Sequence, residues 1–137
     1  VLQDLNYTLN SFPNHPRALV SMLNFVFSRQ DRKLEGLSKD PECYFYRATV
    51  FRPNDLRAKE VYGVYLYKSG RLHEARAQFY AAEADGYDEP LFHYNFGLLL
   101  VDMREWDKAF YHAKKAYDSG VSFPGLRRKL QQSGKWK

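Results

Sequence analysis

The stretch that decides the fold is Leu56–Glu89, which reads LRAKEVYGVYLYKSGRLHEARAQFYAAEADGYDE. Moved along the chain by 34 residues, it aligns without a gap with Pro90–Phe123, which reads PLFHYNFGLLLVDMREWDKAFYHAKKAYDSGVSF. The residues that coincide are mostly small: Gly63 with Gly97, Leu66 with Leu100, Ala75 with Ala109, Ala82 with Ala116, and Gly86 with Gly120. Because a fixed period of roughly 20 to 50 residues is the signature of repeat architectures, the chain is predicted to be built from repeated units.

Apolar residues recur within each unit at the spacing of an amphipathic helix. In the first of the two units, Gly70 separates two such runs and is suited to end a helix. Small residues such as Gly63 and Ala75 are predicted where two antiparallel helices cross closely, because only short side chains permit that approach. The residues predicted to pack the repeats together are Tyr62, Gly63, Leu66, Ala75, Phe79, Ala82, Phe96, Gly97, Leu100, Ala109 and Ala116.

The two units carry a recognisable motif. It runs Lys59-x2-Tyr62-Gly63-x2-Leu66 and Ala75-x3-Phe79 in one, and His93-x2-Phe96-Gly97-x2-Leu100 and Ala109-x3-Ala113 in the other. The pattern resembles the tetratricopeptide repeat, with Lys59 and His93 in place of its large aromatic residue and Arg104 in place of its turn glycine. The resemblance implies an all-α fold, a solenoid of antiparallel helix pairs.

The whole chain, 1–137, is predicted to be one domain of this kind. Its parts are a half-repeat helix at 1–12, a longer degenerate repeat at 16–55, the repeats 56–89 and 90–123, and a capping helix at 124–133. In the degenerate repeat we expect helices at Pro16–Arg29 and Pro41–Arg52, joined by an inserted loop or short helical turn at Gln30–Asp40. Leu126–Gln132 is predicted to cap the array, because its basic residues offer a polar outer face.

Composition excludes several classes of protein. With 137 residues, 45% of them hydrophobic, the chain suits one folded domain, and no apolar run is long enough to span a membrane. Cys43 is the only cysteine, so neither an internal disulfide nor a cysteine zinc site is expected, and it is predicted to be a buried, inert thiol. Tyr44, Tyr46 and Phe51 lie at spacings that predict core positions.

The sequence shows no catalytic or cofactor motif. His73, His93 and His112 lack the spacing of a recognised metal-ligand set and are expected at the surface or in a groove, so no metal, no cofactor and no enzymatic activity are predicted. The net charge of +5 is mildly basic. Its clusters, Arg29/Arg32/Lys33 and Arg127/Arg128/Lys129, are interpreted as solvated faces, which makes a nucleic-acid partner less favoured.

The family resemblance implies a concave groove lined by the first helix of each repeat, which would hold a peptide from a partner protein. The positions that match the family's groove are Arg17, Val20, Asn24 and Phe27; Arg57, Glu60, Val64, Tyr67 and Lys68; and Leu91, Tyr94, Asn95, Leu98 and Val101. The sequence therefore predicts a non-catalytic module for protein–protein interaction. Two alternatives stay open: a basic helical repeat that binds RNA, and an array that dimerises through its N-terminal flank.

Overall fold

The computed structural model describes residues 2–28 and 40–136, which form eight α-helices and no strand. In chain order the helices are α1 (Leu2–Ser11), α2 (Pro16–Ser28), α3 (Pro41–Phe51), α4 (Leu56–Lys68), α5 (Leu72–Ala84), α6 (Pro90–Asp102), α7 (Trp106–Asp118) and α8 (Gly125–Gln132). The predicted all-α class is confirmed. The expected loop at Gln30–Asp40 lies outside the described residues, except for Asp40, which precedes α3. None of these helices is long and apolar enough to cross a membrane.

Helices α4 and α5 form one closely packed pair, and α6 and α7 form another. The turns that join them have the same hydrogen bonds: the Arg71 and Gly70 amides donate to the carbonyls of Leu66 (2.9 Å) and Tyr67 (3.0 Å). Arg104, 34 residues after Gly70, repeats this turn with a φ of 59°, against 80° for the glycine. A side chain in this left-handed region is strained, so the turn is conserved in geometry between the pairs although the glycine is not.

The core follows the repeated positions. Each of the eleven residues predicted to pack the repeats is buried, and Phe79 of α5 stacks on Phe96 of α6 with the ring centroids 5.2 Å apart. Phe79 also lies 5.6 Å from the ring of Phe92. These aromatic contacts join the α4–α5 pair to the α6–α7 pair.

The two helix-interior glycines make different close contacts. A Cβ atom placed on Gly63 would lie 3.1 Å from the Phe79 ring of its own pair, in agreement with the predicted crossing. A Cβ atom on Gly97 would lie 2.6 Å from Leu126 of α8. Gly97 therefore makes room for the last helix, and the expectation that it serves the crossing inside its own pair needs that correction. Leu126 and Leu130 of α8 are fully buried, while Arg127 and Arg128 are exposed.

Helix α3 faces inward with a different set of residues from the predicted one. Tyr44, Phe45 and Ala48 are buried, whereas Tyr46 and Phe51 are 56% and 63% exposed. Cys43 is also exposed, so the prediction of a buried thiol is wrong. The physical reason is the 100° step between successive helical residues, which turns Cys43 and Tyr46 away once Tyr44 and Phe45 face the core.

Overpacking tests the α4–α5 crossing. Ala75 is fully buried there, whereas Ala77, two residues further along α5, is exposed. We expect Ala75→Leu to lower the free energy of unfolding by about 1 to 3 kcal/mol, because the larger side chain has no space. The matched variant Ala77→Leu should change it by less than about 0.5 kcal/mol, as for other surface substitutions. Urea unfolding of the two variants measures both values, and equal stabilities would contradict the helix pairing.

A second substitution tests the docking of α8. Leu126→Ala should lower the free energy of unfolding by about 2 to 5 kcal/mol, since it empties the space against Gly97. Gln131→Ala, on the exposed side of the same helix, is the control and should be close to neutral. If thermal melts of Leu126→Ala match those of the unsubstituted chain, α8 contributes nothing to the fold.

Candidate functional site

The predicted groove residues lie on helices that neighbour one another: α2 packs on α4, α4 on α6, and α6 on α8. Arg17, Val20, Asn24, Arg57, Lys68 and Leu91 are exposed, whereas Phe27, Glu60, Val64, Tyr67, Tyr94, Asn95 and Leu98 are half-buried. Val101 is only 7% exposed and belongs to the core, so its assignment to the groove is wrong.

Glu60 connects α4 to α6. Its carboxylate accepts hydrogen bonds from the Tyr87 hydroxyl (2.9 Å) and from the Asn95 side-chain amide (3.3 Å). Burial raises the pKa of Glu60, while those two donors and the nearby Arg57 act in the opposite direction. The structure thus brings two predicted groove residues, Glu60 and Asn95, into direct contact.

Tyr67 also reaches from α4 to α6. Its hydroxyl donates to the carboxylate of Asp102 and lies 3.3 Å from the carbonyl oxygen of Leu98. The second carboxylate oxygen of Asp102 accepts a 3.1 Å bond from Lys129 of α8. Burial and the Asp102 carboxylate raise the pKa of Tyr67. The hydroxyl is therefore held within the chain, and the half-buried ring is the part of Tyr67 that a partner can contact.

Tyr94 lies at the end of the row nearest α8. Its ring contacts the rings of Phe123, at 5.7 Å, and Tyr117, at 6.4 Å. Phe123 is 54% exposed, and so is Leu91, at 52%, one helical turn before Tyr94. These residues place a partly exposed aromatic and aliphatic surface beside the polar Glu60–Asn95 contact.

The α2 end of the row is linked to α4 by Phe27 and Lys68. The Lys68 ammonium lies 5.8 Å from the centre of the Phe27 ring, within the range of a cation–π contact. Phe27 also packs against Tyr65, with ring centroids 5.7 Å apart. Two surface concavities of about 470 and 500 Å³ lie elsewhere, at the turns around Pro13 and Pro53.

Two histidines occupy a position that the sequence analysis did not foresee. His93 of α6 and His112 of α7 are both 3% exposed and lie between the two helices, so the expectation of surface or groove histidines is wrong for them. The available signal was that His93 replaces the large aromatic of the repeat motif, a packing position. Nothing in the spacing of 19 residues between the two identifies them as partners.

These histidines form a continuous line of contacts with two carboxylates. Asp88 Oδ1 lies 2.5 Å from His93 Nε2, and His93 Nδ1 lies 2.8 Å from His112 Nδ1. At the far end, His112 Nε2 lies 3.3 Å from Glu83 Oε2. We call the four residues Glu83, Asp88, His93 and His112 the histidine chain.

Electrostatics distinguish the members of the histidine chain. Burial, together with the charges of His93 and Lys115, lowers the pKa of His112 to about 4. The hydrogen bond from His93 and the charge of Lys115 lower the pKa of Asp88. Within the described part of the chain, Glu83, His93 and His112 are the group able to hold a metal ion, with ligand atoms within 4.8 Å of one another.

Comparisons of the chain with protein-family models, with curated proteins and with solved structures found no match. Any function must therefore be argued from the geometry of these two sites.

The titration of His112 predicts how stability depends on pH. Between about pH 6.5 and pH 4 the unfolded chain protonates this imidazole, whereas the folded chain keeps it neutral. The unfolded state then binds more protons, so the free energy of unfolding should fall as the pH is lowered through this window, by on the order of 1 to 3 kcal/mol. Urea unfolding in metal-free buffer over this pH range measures the slope.

Two variants separate this effect from the titration of other groups. His112→Gln should flatten the slope, whereas His73→Gln, which replaces an exposed histidine on α5, should leave it unchanged. A slope that is the same in all three proteins would mean that His112 is not the group responsible.

Proposed function

We propose that the chain is a tetratricopeptide-type solenoid of antiparallel helix pairs that acts without catalysis, binding a peptide segment of a partner protein along α2, α4 and α6. The equivalent turns at Gly70 and Arg104 and the two closely packed helix pairs support the architecture. A module of this kind recognises its partner by side-chain anchors and hydrogen bonds rather than by a reactive group.

The observation that carries the proposal is the meeting of α4 and α6 side chains that remain partly accessible. Glu60 and Asn95 are joined by a hydrogen bond, and Tyr67 reaches Leu98, so successive first helices present one continuous surface. The Tyr67 ring is fixed through its hydroxyl, which lowers the conformational entropy that binding would cost.

The chemistry of this surface indicates which features a peptide should have. The rings of Tyr67 and Tyr94 and the side chain of Leu98 offer contacts for apolar anchors. Arg57 and Lys68 are exposed on α4 and are suited to hold carboxylate or carbonyl groups at the edge. We therefore propose a peptide with apolar or aromatic anchors flanked by acidic residues.

Selection from a displayed peptide library, with the full chain as bait, tests this function. For a selected peptide, Tyr67→Ala or Tyr94→Ala should each raise the Kd about 5- to 150-fold, since central aromatic contacts dominate such interfaces. Tyr111→Ala is the matched control, because Tyr111 is 52% exposed on α7, outside the row of first helices. Its Kd should stay within about twofold of the unsubstituted chain.

Other outcomes would overturn the proposal. If both groove variants bind normally while Arg128→Ala abolishes binding of RNA in a salt-sensitive manner, the chain is a nucleic-acid-binding repeat. If light scattering shows a dimer that Phe12→Ser dissociates, the exposed residues Phe12 and Phe51 serve self-association instead. Thermal melts of each variant are needed alongside, because a tyrosine required only for packing would lose stability and affinity together.

A further inference from the structure

The histidine chain contains an unusual pair of facing nitrogen atoms. The outer nitrogen of each ring, Nε2, faces a carboxylate: Asp88 for His93 and Glu83 for His112. An ionised carboxylate only accepts hydrogen bonds, so each Nε2 carries a hydrogen. A neutral imidazole has a single N–H, which leaves both Nδ1 atoms as lone pairs directed at each other across 2.8 Å.

Two facing lone pairs repel unless a positive species lies between them. A shared proton is one such species, but it makes one of two almost fully buried rings cationic, which burial disfavours. A metal ion is the other, and it leaves both imidazoles in the neutral form that ligates metals. The two carboxylates at the ends also balance the charge of a divalent cation better than that of a single proton.

We propose that His93 Nδ1 and His112 Nδ1 together bind a divalent transition-metal ion, with Zn²⁺ as the representative, in exchange for the proton that they otherwise share. Imidazole nitrogens suit zinc, copper and nickel. Histidines that bind metals usually donate their other ring N–H to a carboxylate, and here both rings have such a partner in place. Asp88 and Glu83 are thus positioning residues that fix the tautomer of each ring.

The distances are compatible with a small adjustment of the two rings. Zn–N bonds of about 2.0–2.1 Å in tetrahedral geometry place two ligand nitrogens about 3.3 Å apart, so the rings must separate by about 0.5 Å. They belong to different helices and can do so by side-chain rotation. Water or the Glu83 carboxylate, whose ligand oxygen is within 4.8 Å, completes the coordination.

Titration calorimetry of the metal-stripped full chain with zinc chloride near neutral pH tests the proposal. We expect one Zn²⁺ per chain, a rise in melting temperature, and release of about one proton, detected by repeating the titration in buffers of different ionisation enthalpy. Binding that releases no proton, or no binding at all, would overturn it.

A pair of matched variants tests the positioning role of Asp88. Asp88 is exposed, with its side chain 68% accessible, so Asp88→Asn should fold. It should weaken Zn²⁺ binding by about 10- to 100-fold, because the amide no longer fixes the hydrogen on His93 Nε2. The control is Asp85→Asn, which removes an equally exposed carboxylate paired with Lys59, and it should leave the affinity unchanged. Equal effects of the two variants would show non-specific attraction of the cation.

Nuclear magnetic resonance of the unsubstituted protein keeps the test independent of folding effects. Zinc should shift the side-chain ¹⁵N signals of His93 and His112, with the change centred on Nδ1, and leave those of His15 and His73 unmoved. Shifts confined to His15 or His73 would overturn the proposal. Peptide binding at the α4–α6 surface is measured separately, so failure of the metal site does not decide the proposed function.

Discussion

The packing of Phe79 is the interaction on which the rest of the fold depends. Its ring fills the space left by Gly63 inside the α4–α5 pair and stacks on Phe96 of the α6–α7 pair. One side chain therefore sets both how closely the helices of one pair approach and how that pair sits against the next. A helix pair cannot bury its apolar face alone, and this shared aromatic core is what joins the two pairs.

The sequence was sufficient to predict the helices from Leu56 to Asp118, because the 34-residue spacing repeats both the apolar positions and the turns. It was insufficient for α3, where Tyr44, Phe45 and Tyr46 follow one another and an apolar side chain points in nearly every direction. Periodicity then carries no information on which face is inward. Contacts with α2 and α4 decide it, and those depend on residues distant in sequence.

The candidate sites show the same division. Helical spacing was enough to group Glu60, Tyr67, Asn95 and Leu98 on the first helices, but the Tyr67–Asp102 bond depends on the relative rotation of α4 and α6. The histidine chain was missed for a related reason. A buried histidine is recognisable only by its partners, and His93 and His112 meet because particular faces of α6 and α7 oppose each other.

Helix α6 is the element that both sites share. His93 and Phe96 face α7 and the core, whereas Tyr94, Asn95 and Leu98 point toward α4 and α8. The ring of Phe96 lies 4.3 Å from that of His112, so a species held between the two imidazoles adjusts the same aromatic core that supports the peptide surface. Because closely packed interiors transmit small displacements, the charge state of the histidine chain and the geometry of the α4–α6 surface are mechanically linked.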